Sequence, residues 1–323
     1  LGDGSINVYN KKNGGNTGQC QFDFGTELDS IMFEDDIELL GFTRCTPKQS
    51  SRTFNNVTHT TFSVSHNGSL PNLLIALGIT CGKKTEVEKK PLEDWIVKGS
   101  NMVKREFISA FQGADGCKIR WNKKTHGYNF VCAETSKQIN PKYNLSLIVF
   151  MKQCSKIIKD FGIEVKDIDE KNVKNNINRI KVAYKISDKQ DNLEKYFDII
   201  GYRYDQNKII NSSKIIEYFK IKKIPINEYK DLMLKIRQNI DDGKTNLEIS
   251  NLYNISIKYV NDVIKSYNKG YAITSPNLKD NTIEKWLNII EHKGYSIFVP
   301  VNKIEEVENQ LISDITVESE NHS

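Results

Sequence analysis

Phe107-Ile108-Ser109-Ala110-Phe111-Gln112-Gly113-Ala114-Asp115-Gly116 closes a run with helical apolar spacing from Lys104 to Gly113. The run ends in Asp-Gly, and glycine commonly terminates helices. Strand-like segments follow, CKIRWNKK at 117–124 and YNFVCAE at 128–134. Beyond them come a long helical pattern at Asn144–Phe161, a hairpin pattern NRIKVAYKI at 178–186 and a helical pattern at Asn192–Ile200.

The same order stands earlier in the chain. Leu1-Gly2-Asp3-Gly4-Ser5 supplies a second Asp-Gly, followed by alternating INVYNKK and CQFDFGTE. A helical pattern at Ser30–Leu40 carries Ile31, Met32, Ile37, Leu39 and Leu40 as its apolar positions, then THTTFSVS leads into a helix at Pro71–Leu77. Two tandem copies of helix-ββ-helix-ββ-helix account for residues 1–100 and 101–223. Residues 224–273 read as helical throughout, and the turn-rich TSPNLKDN at 274–281 opens a strand-like tail covering 274–323. The expected fold class is α+β.

The two Asp-Gly segments resemble the paired motifs of the LAGLIDADG (dodecapeptide) homing endonucleases, the second copy more fully than the first. The resemblance implies a pseudo-symmetric monomer in which two helices pack through small residues, here Ser109, Ala110, Gly113 and Ala114. Each helix then delivers one aspartate, Asp3 or Asp115, to the base of the molecule. These two carboxylates are the implied ligands for Mg²⁺, a hard cation suited to carboxylate and water oxygens. The family also places a lysine near each active site. Lys90, in Lys90-Pro91-Leu92-Glu93-Asp94-Trp95-Ile96, and Lys208, after Gly201-Tyr202-Arg203-Tyr204, occupy similar contexts. The displaced proline leaves Lys89 as an alternative to Lys90. The strands after each Asp-Gly are implied to form saddles in the DNA major groove, which admits a β-ribbon. Asn7, Tyr9 and Lys11 would contact DNA from the first saddle, with Gln21 and Asp23 beside them. Lys118, Arg120, Lys123 and Lys124 would do so from the second, with Lys118 and Arg120 on one face.

Thr245 to Ile264 resembles a helix-turn-helix. Ile249 and Leu252 are expected to pack one helix, Ile255 to end the turn, and Val260 and Ile264 to anchor the next. Ser256 is suited to be its N-cap, and Lys258, Tyr259, Asn261 and Lys265 are left facing DNA. The tail from Phe298 through Asp314 to His322 resembles the late strands of an intein splicing domain, which implies a host protein flanking the chain. Neither the terminal Asn nor the splicing nucleophile is in the sequence, so Asp314 and His322 have no splicing to perform within it.

The formal net charge of +5 does not by itself announce a nucleic-acid binder. Basic residues crowd 84–90, 118–124, 171–189 and 214–223, where they could neutralise phosphates along one surface. Mean hydropathy is −0.52, and no apolar run approaches the roughly 18 residues of a membrane span. Six cysteines lack CxxC or Cys/His zinc spacing and read as reduced thiols of an intracellular protein. The same scaffold without cleavage would serve as a DNA-binding regulator or an RNA maturase. Possession of both Asp3 and Asp115 favours the double-strand endonuclease.

Overall fold

The computed structural model describes residues 4–10, 16–54, 56–82, 85–122, 129–131, 134–173, 176, 178–274, 276, 286–288, 291–293 and 296–298. The first half runs β1 (Gly4–Asn10), β2 (Asn16–Phe24), α1 (Glu27–Leu39), β3 (Lys48–Phe54), β4 (Val57–Asn67) and α2 (Ser69–Ala76). Its strands form an antiparallel sheet in the order β1-β2-β4-β3. Alternation decides what each face does, because successive side chains point to opposite sides. Ile6, Cys20, Val64 and His66 turn inward, and Ile6 and Cys20 meet Ile37 and Leu70 in a core ringed by Phe22, Phe33 and Leu74. Helix α1 differs from its sequence pattern: it buries Asp29, Ser30, Glu34 and Ile37, while Leu39 and Leu40 at its end lie in solvent. Asp29 and Glu34 can stand on the buried face because each finds a specific partner, as described below, and the Ser30 hydroxyl donates to Glu27 O within the helix.

The second half adds α3 (Asp94–Val97), α4 (Asn101–Asp115), β5 (Arg120–Asn122), β6 (Asn129–Val131), β7 (Glu134–Ile139), α5 (Asn144–Asp160), β8 (Asp169–Asn172), β9 (Ile180–Lys185) and α6 (Gln190–Ile199). β5 and β6 pair as a two-stranded ribbon, and β7-β9-β8 form a second antiparallel sheet. Ile108, Phe111, Phe150, Met151, Val182 and Tyr184 are all buried there. Fully burying such side chains contributes about 1.5–3 kcal/mol each. The molecule is α+β, with an order of strands and helices that recurs in the two halves.

Helix α7 (Gln206–Asp241) is 36 residues long and runs without a break through position 223, where the sequence reading put a domain boundary. Pro225 lies inside it, so one intrahelical hydrogen bond is missing there. Its far end supplies Met233 and Ile236 to a small core shared with Ile249 of α8 (Asn246–Tyr253) and Val260 of α9 (Ile257–Asn268). Residues up to Leu278 form one compact unit; Lys279–Ser323 form another, in which β10 (Glu291–Lys293) and β11 (Ser296–Phe298) make an antiparallel hairpin. Among the described residues, no helix is long and apolar enough to cross a membrane.

Candidate active site

Helix α4 begins at Ser100, whose hydroxyl accepts from Val103 N, and its last turn is held by a buried amide. Gln112 Nε2 donates to Tyr184 Oη on β9 at 2.8 Å, and Thr135 Oγ1 on β7 donates to Gln112 Oε1. Gly116 follows in an extended conformation (φ −69°), so the left-handed freedom of glycine is not what this position needs. A Cβ there would lie 2.3 Å from Gln112 O; glycine lets the chain turn tightly off the helix onto β7.

Asp115 is thus delivered to the junction of α4 and β7, with its side chain 13% exposed. Lys137 Nζ on β7 lies 2.7 Å from Asp115 Oδ2. The approach does not meet hydrogen-bond geometry, and Oδ2 is buried without a hydrogen-bond donor among the described residues. A buried carboxylate oxygen lacking a donor is unusual, and it is the kind of atom a hard divalent cation takes. Asp115 therefore fits a metal ligand. Lys137 was not found from sequence, although its signal existed: it shares the inward face of β7 with the buried Thr135 and Ile139, where lysine is uncommon.

The two sequence-selected lysines behave differently. Lys90 is exposed and lines the central cavity, while Lys89, half-buried, holds Nζ 4.5 Å from the centre of the Phe150 ring. Burial pushes the Cys154 thiol up, and the charges of Lys89 and Lys137 both oppose that shift. Lys208 is 5% exposed. Its Nζ donates to Gln112 O and Gly113 O at the end of α4 and pairs with Asp205 Oδ2 at 3.1 Å. Its ammonium caps the end of the helix, Gln112 O also accepting from Gly116 N at 2.9 Å.

The small residues of α4 also have an unexpected neighbour. A Cβ on Gly113 would fall 1.8 Å from Arg203 O, and Arg203 N donates to Ser109 O at 3.2 Å. At Ser109 and Gly113 the close approach is to the loop at 201–205. That loop braces the two halves: Arg203 pairs with Asp36 of α1 and Glu106 of α4, and Tyr204 (φ +56°) donates to Asp36. Burial works against ionisation of Glu106, yet hydrogen bonds from Arg203 and Arg105 hold its carboxyl below the usual range. Gln206 N donates to buried Asp29 Oδ1 at 2.8 Å, which explains one polar residue on the inner face of α1.

Between the halves lies a cavity of about 870 Å³. Phe24, Phe33, Phe107 and Tyr204 supply apolar wall, and Lys90, Lys118 and Lys208 supply positive charge. Ala110, Gly113 and Ala114 border it just before Asp115, and Gly4, the residue after Asp3, borders it from the first half. Asp3, Lys11, Lys123, Lys124, Asp314 and His322 lie outside the described residues.

The outer face of the first sheet is polar along its whole width. Ser5 pairs across from Gln21, Gln21 from Ser65, Asp23 from Ser63, and Ser63 from Lys48 on the edge strand. Ser50 and Arg52 continue that face opposite Thr61 and His59. Asn7 and Tyr9 are exposed on it. Lys118 is exposed but precedes β5, which opens at Arg120, so no strand alternation links those two.

In the helical module, Ser256 Oγ accepts from Tyr259 N at 3.2 Å, the expected N-cap. Asn254 at the turn is left-handed (φ 50°). Lys258 and Lys265 are exposed on α9, while Asn261 Oδ1 accepts from Asn246 Nδ2. Two expectations fail. Leu252 is 56% exposed, because the core uses Ile249 and Tyr253, one helical turn apart. Tyr259, expected on the exposed face, packs inward against the module's core, and burial and Tyr229 push its hydroxyl up to about 12.

No known protein-family model matches the chain. It is 28% identical over 221 residues to the replication factor C small subunit of Methanocaldococcus jannaschii, covering 65% of this chain and 11% of that protein. It is 26% identical over 151 residues to the tRNA-splicing ligase RtcB of Methanopyrus kandleri, covering 46% of this chain and 14% of that one. The chain thus spans a small fraction of the length of the curated relatives it matches. Similar solved structures include mesophilic variants of the homing endonuclease I-DmoI, at 12% identity and TM-score 0.35 over 63% of this chain and 92% of that one. A double mutant of I-SmaMI gives 9% identity and TM-score 0.37 over 69% and 88%. The LAGLIDADG meganuclease I-AabMI, solved on uncleaved DNA, gives 10% and 0.34 over 69% and 88%.

Proposed function

We propose that this chain is a LAGLIDADG-type homing endonuclease, carried within an intein, that makes a metal-dependent double-strand break in a long DNA site as a monomer inside the cell. The observation that carries this reading is Asp115: a carboxylate at a helix end, with a buried oxygen that faces Lys137 Nζ without an aligned hydrogen bond, beside a cavity bordered from the other half by the neighbour of Asp3. Residues 1–100 and 101–223 would be the two nuclease units, 224–273 a DNA-binding helical module, and 274–323 a splicing-domain remnant.

Asp115 and Asp3 would hold divalent cations such as Mg²⁺, which supply Lewis-acid stabilisation of charge on the scissile phosphates and acidify bound water. The protein's own groups divide the remaining work. Gln112 and Lys208 fix the end of α4 so that Asp115 has one position. Lys137 adds positive charge beside it, where negative charge develops on phosphate oxygens. The hydroxyl, amide and cationic side chains on the outer face of the first sheet can donate to phosphates and base edges. Lys258 and Lys265 would extend the contact through phosphates. The intein reading is supported by the tail resemblance and by the two relatives, whose unrelated names share only a small segment with this chain. A segment common to such proteins is more naturally an inserted element than a part of either activity.

The test uses the full-length protein with a linear DNA library and Mg²⁺ or Mn²⁺, reading broken ends by sequencing. Recurrent double-strand ends within one long asymmetric sequence, abolished by a chelator, are expected. Specific binding without breakage in either metal would overturn the endonuclease in favour of a regulator.

A further inference from the structure

A second cluster of ligand-type side chains lies in the first half, apart from Asp115. Glu34 on α1 is 1% exposed, His66 on β4 is 6% exposed, and Cys45 sits half-buried in the segment joining α1 to β3. One oxygen of Glu34, Oε1, lies 2.7 Å from His66 Nε2; the other, Oε2, accepts from Cys45 N at 2.6 Å. On the far side of the ring, His66 Nδ1 faces Cys45 Sγ at 3.5 Å.

With Glu34 Oε1 accepting from Nε2, the other ring nitrogen, Nδ1, is the one left facing the sulfur. A carboxylate behind a histidine is the usual way a metal-binding imidazole is oriented and made more basic. Bond lengths of about 2.3 Å for zinc to sulfur and about 2.0–2.1 Å to nitrogen put those two atoms about 3.6 Å apart on a tetrahedron. The observed separation is 3.5 Å. A carboxylate oxygen of Glu34 lies within 4.8 Å of Cys45 Sγ and of a ring nitrogen of His66, which keeps the carboxylate at the site as the group that orients the ring. A buried His–Glu pair alone would tie α1 to the sheet. It would not require the main chain at Cys45 to be anchored on the same carboxylate with its thiol against the free nitrogen.

We propose that Cys45, His66 and Glu34 form a binding site for a borderline-soft divalent cation, zinc first, that clips α1 to β4. A thiolate and an imidazole exclude Mg²⁺ in favour of zinc or cobalt. The site is therefore chemically distinct from the all-carboxylate centre at Asp115. Cys45 Sγ also lies 3.2 Å from Ser65 O, so the metal would replace a weak thiol hydrogen bond.

Titration of the full chain with Co²⁺ is expected to develop a thiolate-to-cobalt charge-transfer band that saturates at one equivalent, separate from any Co²⁺ held at Asp115, and that Zn²⁺ displaces. Cys45→Ser should abolish the band, and Glu34→Gln should weaken affinity by at least about tenfold. In the unmodified protein, one equivalent of Zn²⁺ should slow alkylation of Cys45 at least about tenfold, a readout that needs no variant. Cobalt binding without the band, or zinc that leaves Cys45 alkylation unchanged, would overturn the proposal.

Discussion

At the scale of single residues, the end of α4 separates position from role. The sequence context singled out Lys208 as a catalytic amine, and the structure gives that amine to the carbonyls of Gln112 and Gly113. Replacing it with methionine keeps the stem and removes the charge. Lys208→Met should then lower unfolding stability by about 1.5–3 kcal/mol, the cost of losing hydrogen bonds from a charged donor, as read by urea denaturation. A change within about 0.5 kcal/mol, usual for an exposed surface side chain, would mean that the ammonium does not hold the helix. Asp115 was legible because Asp-Gly at a helix end is a local pattern. Lys137 was not, because its tie to Asp115 depends on how β7 packs against α4, which no spacing along the chain encodes.

Among the elements, helices α4, α5 and α6 could be read from apolar periodicity, with ends within a few residues of those observed. β3 could not. Lys48–Phe54 holds a single apolar residue, and its pairing with β4 is marked by hydroxyl pairs such as Ser50–Thr61 at 2.9 Å, which leave no alternating signature. α9 shows the converse, since its cap was legible while the inward turn of Tyr259 depends on Tyr229 and Met233 in another helix. Because Lys258 and Lys265 stay exposed, their role is open to direct measurement. Changing both to alanine should flatten the log–log salt dependence of DNA binding by roughly 1.8, at about 0.9 per phosphate contact, and shorten the protected footprint on one side. An unchanged slope and footprint would mean that α8 and α9 only pack against α7.

For the whole molecule, the repeated order of elements was visible because each half carries its own Asp-Gly and following strands. The brace between the halves was not. Arg203, Tyr204 and Gln206 reach Asp36, Glu106 and Asp29 across large sequence distances, and a loop of this kind has no periodicity to read. It matters because a centre that needs one aspartate from each half depends on how those halves are held. Asp115→Asn tests that centre most directly. On a DNA site cut by the unmodified protein, the variant removes a cation-binding charge without changing side-chain size. It is expected to bind that site within about tenfold of the parent and to make no double-strand breaks in Mg²⁺. Breaks at the parental rate would contradict the assignment of Asp115 as a metal ligand, and with it the proposed active site.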